Sequence, residues 1–357
     1  MAQTSINHRY IAEHKDPQGP GDARPTGIQI LKDNDLINNM VEKTFLVTGG
    51  TAGLGLETVR ALAKTGANVF FTARNVEKAN KAVQDIVEEV KGAKVDFVEM
   101  DNTSLESVKT GAEAFRRKTE QLNVLICNAG IGSAPYGRTE DGHEMNFGVN
   151  YLAHFYLFQL LEPLLLASST PSFHSRVVTL SSSAHWFSTV QIGNYNQERK
   201  LEGKIEPLFD LGDGYNPLIA YGQSKTAFIW LTNEIERRYG GKGLHGLSAD
   251  PGTIVTAIWG GMDPRAAEAL QPYVESEQMQ KGFKSVEQGI ATHVLAAAGK
   301  EYEGRGGLYL CDCTTPRALA DDEAIPADGY RSWAFDPDGE KRLWADSLEM
   351  VGMKEEP

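Results

Sequence analysis

KTFLVTGGTAGLG, residues 43–55, decides the fold. Its first half is a short apolar run that ends in glycines, the pattern of a buried strand. Thr48 to Gly55 form a glycine-rich turn, which runs into LGLETVRALAKTG, residues 54–66. There the apolar residues recur at helical spacing until Gly66, a residue suited to closing a helix. Strand, glycine turn and helix in that order let the backbone approach a phosphate closely. The free N–H groups and the positive end of the helix dipole then face the anion. Gly49, Thr51, Gly53, Leu54 and Gly55 are therefore candidate contacts for a dinucleotide pyrophosphate. The spacing differs from GxGxxG by an extra residue between the first glycine pair and the later ones.

The same rhythm continues outward. ANVFFTAR (67–74) reads as a second strand, NVEKANKAVQDIVEEVKG (75–92) as a charged amphipathic helix, and KVDFVEMD (94–101) as a third strand. SLESVKTGAEAFRRKTE (104–120) is the next helix and LNVLICNAG (122–130) a fourth strand. Helices are expected near 143–167 and 221–239, with strands SRVVTLSS (175–182) and GLSADPG (246–252). The helix SVEQGIATHVLAAAG (285–299) and a last strand in GGLYLCD (306–312) complete the series. Such alternation predicts an α/β, Rossmann-type, doubly wound parallel sheet with helices on both faces. It forms a single domain over residues 41–310. Residues 1–40 precede it as an extension, whose first 25 residues read as an arm or mobile tail and whose residues 26–40 contain a short lead-in helix. Residues 185–217 and 257–284 break the rhythm as lid insertions, and 311–357 form a C-terminal extension. Within it DGEKRLWADSLEMVG (338–352) is amphipathic, with Trp333, Trp344 and Leu348 as expected buried anchors.

Composition narrows the function classes. The 357 residues are 41% hydrophobic and 23% charged, enough for a sizeable core. With 48 acidic and 35 basic residues the formal charge is −13, which argues against nucleic acid or anionic lipid as partner. Cys127, Cys311 and Cys313 form no CxxC pair, so neither a disulfide framework nor a metal site is expected, and the compartment reads as reducing and cytoplasmic. The most apolar stretch, YLAHFYLFQLLEPLLLA (151–167), carries His154, Glu162 and Pro163 and reads as a buried or interface helix, not a membrane span.

The end of the second strand bears on the cofactor. An acidic residue there would bond the ribose 2′-hydroxyl of NAD, and FFTARN supplies Ala73 and Arg74 instead. Arg74 can pair with a 2′-phosphate, so NADP(H) is favoured over NAD(H). Otherwise Arg74 is a solvated strand-end arginine.

Glycine loop, NAG (128–130), SSS (181–183), YGQSK (221–225) and PG (251–252), in that order, resemble the short-chain dehydrogenase/reductase family across residues 41–310. TARN, the long stretch between serine and tyrosine, and the LYLCDC ending look like its retinol-dehydrogenase-like branch, and especially like fungal members associated with secondary metabolism. The resemblance implies a catalytic set of Asn150, Ser182, Tyr221 and Lys225, with Ser181 and Ser183 as neighbours of the aligned serine. It places Asp101 and the backbone of Asn102 at the adenine, and Asn128 and Gly130 under the adenosine ribose. It places Pro251 and Gly252 beside the nicotinamide, and Thr256 at the carboxamide or phosphates. Two positions depart from the common pattern: TGG stands for TGA or TGC, and Asp250 stands where many relatives have histidine or asparagine.

The chemistry of YGQSK follows from its spacing. Tyrosine and lysine four apart share one helix face. An ordinary phenol is a poor proton exchanger at neutral pH, and a nearby ammonium is expected to lower its pKa. Tyr221 would then exchange the proton of a carbonyl or alcohol oxygen while Ser182 positions it. Lys225 would also reach the cofactor ribose, and Asn150 would anchor a relay water. Trp186, Phe187, Tyr195, Tyr215, Trp259 and Tyr273 in the insertions suit a bulky apolar substrate, or else pack the lid onto the domain. The expected activity is NADP(H)-dependent ketone or aldehyde reduction, or its reverse. Alternatives on the same fold are imine reduction, redox-neutral cyclisation or dehydration, and an NADP-sensing protein without turnover. The resemblance implies a homodimer or homotetramer through two long helices, here those near 143–167 and 221–239, a contact that the tails would either block or extend.

Overall fold

The computed structural model describes residues 9–199, 201, 211, 214–320, 323 and 329–355. Seven parallel strands make the main sheet: β1 Thr44–Val47, β2 Asn68–Ala73, β3 Lys94–Glu99, β4 Val124–Cys127, β5 Ser175–Leu180, β6 Leu244–Asp250 and β7 Leu308–Cys311. Their order is β3-β2-β1-β4-β5-β6-β7. The chain reverses direction of travel across the sheet at β1, which pairs with β2 (Val47 opposite Phe71) and with β4 (Phe45 opposite Val124). That reversal opens a crevice at the carboxyl ends of the strands, where ligands bind in such sheets.

The sheet is covered on both faces, so β1, β4, β5 and β6 are buried along their whole length and their sequences do not alternate. On one face the helices Gly53–Ala63, Val76–Glu89 and Ala291–Ala298 enclose a core that includes Phe45, Val59, Phe71, Val178 and Leu295. On the other, the helices Leu105–Lys118, Ala153–Ser168 and Pro217–Tyr239 enclose Phe115, Phe155, Phe158 and Phe228.

The long helix Pro217–Tyr239 starts four residues before the expected Tyr221. Pro217 sits in its first turn, and the Asn216 side chain accepts from Leu218 N at 3.0 Å and Ile219 N at 3.2 Å. Tyr221 therefore lies one turn inside a well-capped helix. The helix expected near 143–167 is composite: Phe147–Leu152 is π-helical and Ala153–Ser168 is α-helical. A π-helical turn widens the coil locally and is often found at functional sites.

Both extensions pack onto the domain. Trp333, Trp344 and Leu348 are buried as expected, and the helix Pro337–Met350 lies over the two long helices. Trp344 makes edge contacts with Phe155 at 5.2 Å and Phe158 at 6.0 Å, and Tyr151 Oη meets Ser347 Oγ at 2.8 Å. No helix among the described residues is long and apolar enough to cross a membrane.

Candidate active site

Each strand of the main sheet delivers part of the site at its carboxyl end. After β1, Gly49 adopts φ +74°, and a Cβ on Gly55 would lie 2.1 Å from Gly49 O, so the loop closes on itself only with glycine at both places. The following helix, Gly53–Ala63, has Ala52 at its N-cap and no side-chain cap, which leaves its first amides for another acceptor. Thr51 and Leu54 are half-buried on this loop, and Thr256 lies against Gly53. After β2, Arg74 is exposed, while Asn75 caps the next helix. Met100 N bonds Ala73 O at 3.0 Å, which brings Asp101 and Asn102 beside Arg74. Asp101 Oδ1 accepts from Thr103 N at 2.9 Å, and the buried Asn102 donates to Val149 O at 3.1 Å. After β4, Asn128 donates to Thr48 O at 2.7 Å, and Gly130 lies against Asn150. Thr256 apart, these residues therefore all follow the carboxyl ends of β1 to β4.

The three serines after β5 separate by their partners. Ser181 is buried and donates to Lys225 O at 2.9 Å. Ser183 lines a neighbouring cavity. Ser182 Oγ acts electrostatically on the Tyr221 hydroxyl and accepts from Ala184 N at 3.1 Å. Gly222 lets the Tyr221 helix approach the segment after β5, because a Cβ there would lie 2.7 Å from Ala184 O and 2.9 Å from Phe187 Cβ. Lys225 Nζ donates to Leu180 O at 2.7 Å and lies 5.3 Å from the centre of the Tyr221 ring.

The electrostatics differ from the sequence expectation. Burial, and then the Asp250 carboxylate, raise the Tyr221 phenol above its ordinary value, with Ser182 opposing. The shift falls on the lysine instead: burial pulls Lys225 down to about 8, partly offset by Asp250. Asp250 is buried and ends β6, accepting from Gly252 N at 2.8 Å and from the Tyr309 hydroxyl at 3.2 Å. Burial raises its pKa, and Lys284 opposes the rise. Pro251 and Gly252 form the turn that follows, Gly252 with φ +86°.

Asn150 is fully buried in the π-helical turn and its amide is committed. Nδ2 donates to Ile131 O at 3.0 Å and Ser224 Oγ at 2.9 Å, and Oδ1 accepts from Ile131 N at 2.8 Å. Sequence reasoning passed over His154, four residues on. Its Nδ1 is 2.6 Å from Asn150 O and its Nε2 2.8 Å from Thr48 Oγ1, and Thr48 Oγ1 in turn accepts from Asn128 N and Ala129 N at 2.9 Å. One buried histidine joins the glycine loop, the NAG turn and the helix of Asn150. A lone histidine on an inward helix face was the available signal.

The Tyr195 and Tyr215 hydroxyls are engaged within the fold. Tyr195 stacks on Phe147 at 5.0 Å and donates to Asp346 at 2.6 Å, while Tyr215 donates to Glu144 at 2.8 Å. Trp186 and Tyr273 do line the cavity, whose volume is about 740 Å³. His185 is buried and bonded to Ser182 O at 2.7 Å. No group of three or more metal-ligating side chains occurs among the described residues.

Residues 43–196 match the family model described as short chain dehydrogenase. The chain is 48% identical to the short-chain dehydrogenase/reductase prx1 of Penicillium roqueforti over 347 residues, 97% of this chain and 96% of that one. The chain belongs to the short-chain dehydrogenase/reductase family. As an oxidoreductase of that family it is also 42% identical to oxidoreductase calI of Penicillium decumbens, covering 98% of this chain and 99% of that one. Among solved structures, a putative uncharacterized protein from Mycobacterium paratuberculosis superposes with TM-score 0.65 at 26% identity, covering 93% of this chain and 99% of that one. An NADP complex of RhlG from Pseudomonas aeruginosa matches with TM-score 0.58 at 22% identity over 77% of this chain and 96% of that one, a likeness of fold.

Proposed function

We propose that the protein reduces a ketone or aldehyde on a bulky, largely apolar small molecule with NADPH, or runs the reverse oxidation, in fungal secondary metabolism. The observation that carries this is the buried Lys225 held 5.3 Å from the Tyr221 ring by Leu180 O, with Ser182 just past the end of the same strand. Two hydroxyls brought to one half-buried site form a natural receptor for one substrate oxygen.

The residues fit a nicotinamide dinucleotide. The uncapped N-terminus of the helix Gly53–Ala63 suits the pyrophosphate, Asp101 the adenine, Asn128 and Gly130 the ribose, and Pro251, Gly252 and Thr256 the nicotinamide end. Arg74, exposed at the end of β2, supports NADP over NAD, and NADP-bound relatives of the same fold agree with that choice. When bound, the nicotinamide supplies a hydride to the carbonyl carbon. Ser182 orients the substrate oxygen and Tyr221 gives it its proton, so C=O becomes CH–OH. The raised phenol pKa keeps Tyr221 protonated but makes it a weaker acid than a free phenol, so proton delivery depends on the positive charge of Lys225 beside it. Lys225 restores charge balance at the phenol and reaches the cofactor ribose. The Asn150 main-chain oxygen, with one lone pair on His154, holds the water of a proton relay with the other.

The Pro337–Met350 helix occupies the surface through which the two long helices would pair, so a homodimer or homotetramer would use another face. The cytoplasm remains the proposed compartment. The test is NADPH oxidation against a panel of bulky ketones, with Tyr221→Phe and Arg74→Ala. Ketone-dependent oxidation lost in Tyr221→Phe, and an NADPH preference lost in Arg74→Ala, support the proposal. NADPH binding without turnover of any ketone would refute it in favour of a sensing or redox-neutral role.

A further inference from the structure

The cavity beside Ser183 and Asp250 is lined in part by a segment outside the family motifs. Ile11, His14, Pro17 and Arg24 of the N-terminal arm line it, opposite Trp186 and Tyr273. The arm is fastened in place. Arg24 is buried, and its guanidinium donates to Gly19 O at 3.1 Å within the arm, and to Gly282 O at 2.8 Å and Phe283 O at 2.6 Å at the end of the Glu277–Gly282 helix. Gln288 adds a second fastening, accepting from Gly21 N at 2.9 Å and donating to Arg24 O at 3.1 Å. A planar guanidinium spent on main-chain oxygens from two segments holds both in register.

One end of this chamber is polar in a particular way. Asp312, just after β7, adopts φ +50° and is followed by Cys313 at φ +59°. Two successive non-glycine residues in the left-handed region carry strain that is retained mainly where function needs it. Asp312 Oδ1 accepts from Lys284 Nζ at 2.6 Å and faces His14 Nε2 at 3.6 Å. His14 Nδ1 lies 2.8 Å from Tyr10 O, so it carries the ring proton. Burial lowers the His14 pKa, which keeps the ring neutral and leaves Nε2 as a lone pair. A carboxylate and an imidazole lone pair thus converge as two acceptors. A neutral hydroxyl can donate to either. An ammonium would meet Lys15, Lys284 and Arg317, which line the same chamber.

We propose that this chamber is the far half of the substrate site, that it takes a ring-bearing apolar molecule with a neutral hydroxyl at the end distant from the carbonyl, and that the arm latched by Arg24 imposes that choice. The inference rests on the reductase assignment for the near half. It makes His14 and Asp312 specificity residues and the arm a working wall of the site.

The test uses a matched pair, 4-(4-hydroxyphenyl)butan-2-one and 4-phenylbutan-2-one. Binding to the full chain is read by quenching of tryptophan fluorescence, Trp186 being in the chamber wall. Wild type is expected to bind the hydroxylated ketone about fivefold more tightly, the worth of one net hydrogen bond. The advantage should vanish in His14→Ala and in Arg24→Met, with NADPH affinity unchanged in both as the check that the domain is folded. Equal affinities in wild type, or an advantage that survives His14→Ala, would overturn the hydroxyl subsite. An advantage lost in His14→Ala but kept in Arg24→Met would overturn the latch. Turnover is scored separately: the predicted preference without NADPH oxidation would leave the chamber standing and refute the reductase assignment.

Discussion

Replacing His154 by phenylalanine keeps most of the side-chain volume and its edge contact with Phe228, 5.3 Å between ring centres, but removes both hydrogen bonds of a fully buried imidazole. The Asn150 carbonyl loses a partner at 2.6 Å and the Thr48 hydroxyl one at 2.8 Å. Leaving a buried polar group unsatisfied costs about 1–3 kcal/mol. Thr48 has a fallback in Ile126 O, but at 3.5 Å this is a poor bond. The expected loss is therefore about 2–4 kcal/mol, read as a lower midpoint in urea with an unchanged slope. NADPH affinity should fall with it, since Thr48 also holds the amides of Asn128 and Ala129 under the proposed ribose site. The linkage has a definite sign. Burial lowers the His154 pKa from 6.5 to about 4, so as pH falls below 6.5 the unfolded chain takes a proton that the folded one refuses. Stability should thus decline between pH 6.5 and 4, and less steeply in His154→Phe. A loss below about 1 kcal/mol with unchanged NADPH affinity would refute the bridging role.

Two further predictions concern charge and the C-terminal helix. If the Lys225 ammonium is needed, kcat/KM for ketone reduction falls as pH rises through about 8, and Asp250→Asn moves that limb to lower pH by removing the attraction that holds the proton on Lys225; a flat profile to pH 10, measured by initial rates, contradicts it. Trp344→Ala removes a buried ring that also carries the Arg238 guanidinium 4.5 Å above it, and should cost about 3–5 kcal/mol in urea unfolding and promote association through the uncovered long helices in sedimentation.

The strands and the motif order were legible because buried parallel strands and glycine turns are local signals. KTFLVTGG could hardly be anything but a strand and turn, and YGQSK declared its shared helix face by spacing alone. What was hidden depends on distant partners. Nothing in FGVNYL marks it as π-helical, since its composition suits an α-helix equally. The arm appeared as a polar tract because its order comes from Arg24 reaching carbonyls some 258 residues away. The expectation that Lys225 lowers the phenol pKa counted proximity but not burial or the Asp250 charge, which act on both groups. Tyr195 and Tyr215 looked like substrate aromatics, yet their hydroxyls are claimed by Asp346 and Glu144. His154 offered the faint signal of an imidazole on an apolar helix face, and only the tertiary fold reveals its two partners, the Asn150 carbonyl and the Thr48 hydroxyl.

The most direct measurement is single-turnover NADPH oxidation with a bulky ketone, comparing wild type, Tyr221→Phe and Ser182→Ala at matched cofactor saturation. If Tyr221 delivers the proton and Ser182 holds the oxygen, NADPH binding is retained in all three proteins. The chemical step then falls by about 10²-fold or more in each variant. Oxidation that proceeds undiminished in Tyr221→Phe would contradict the assignment of the proton donor and with it the proposed reduction.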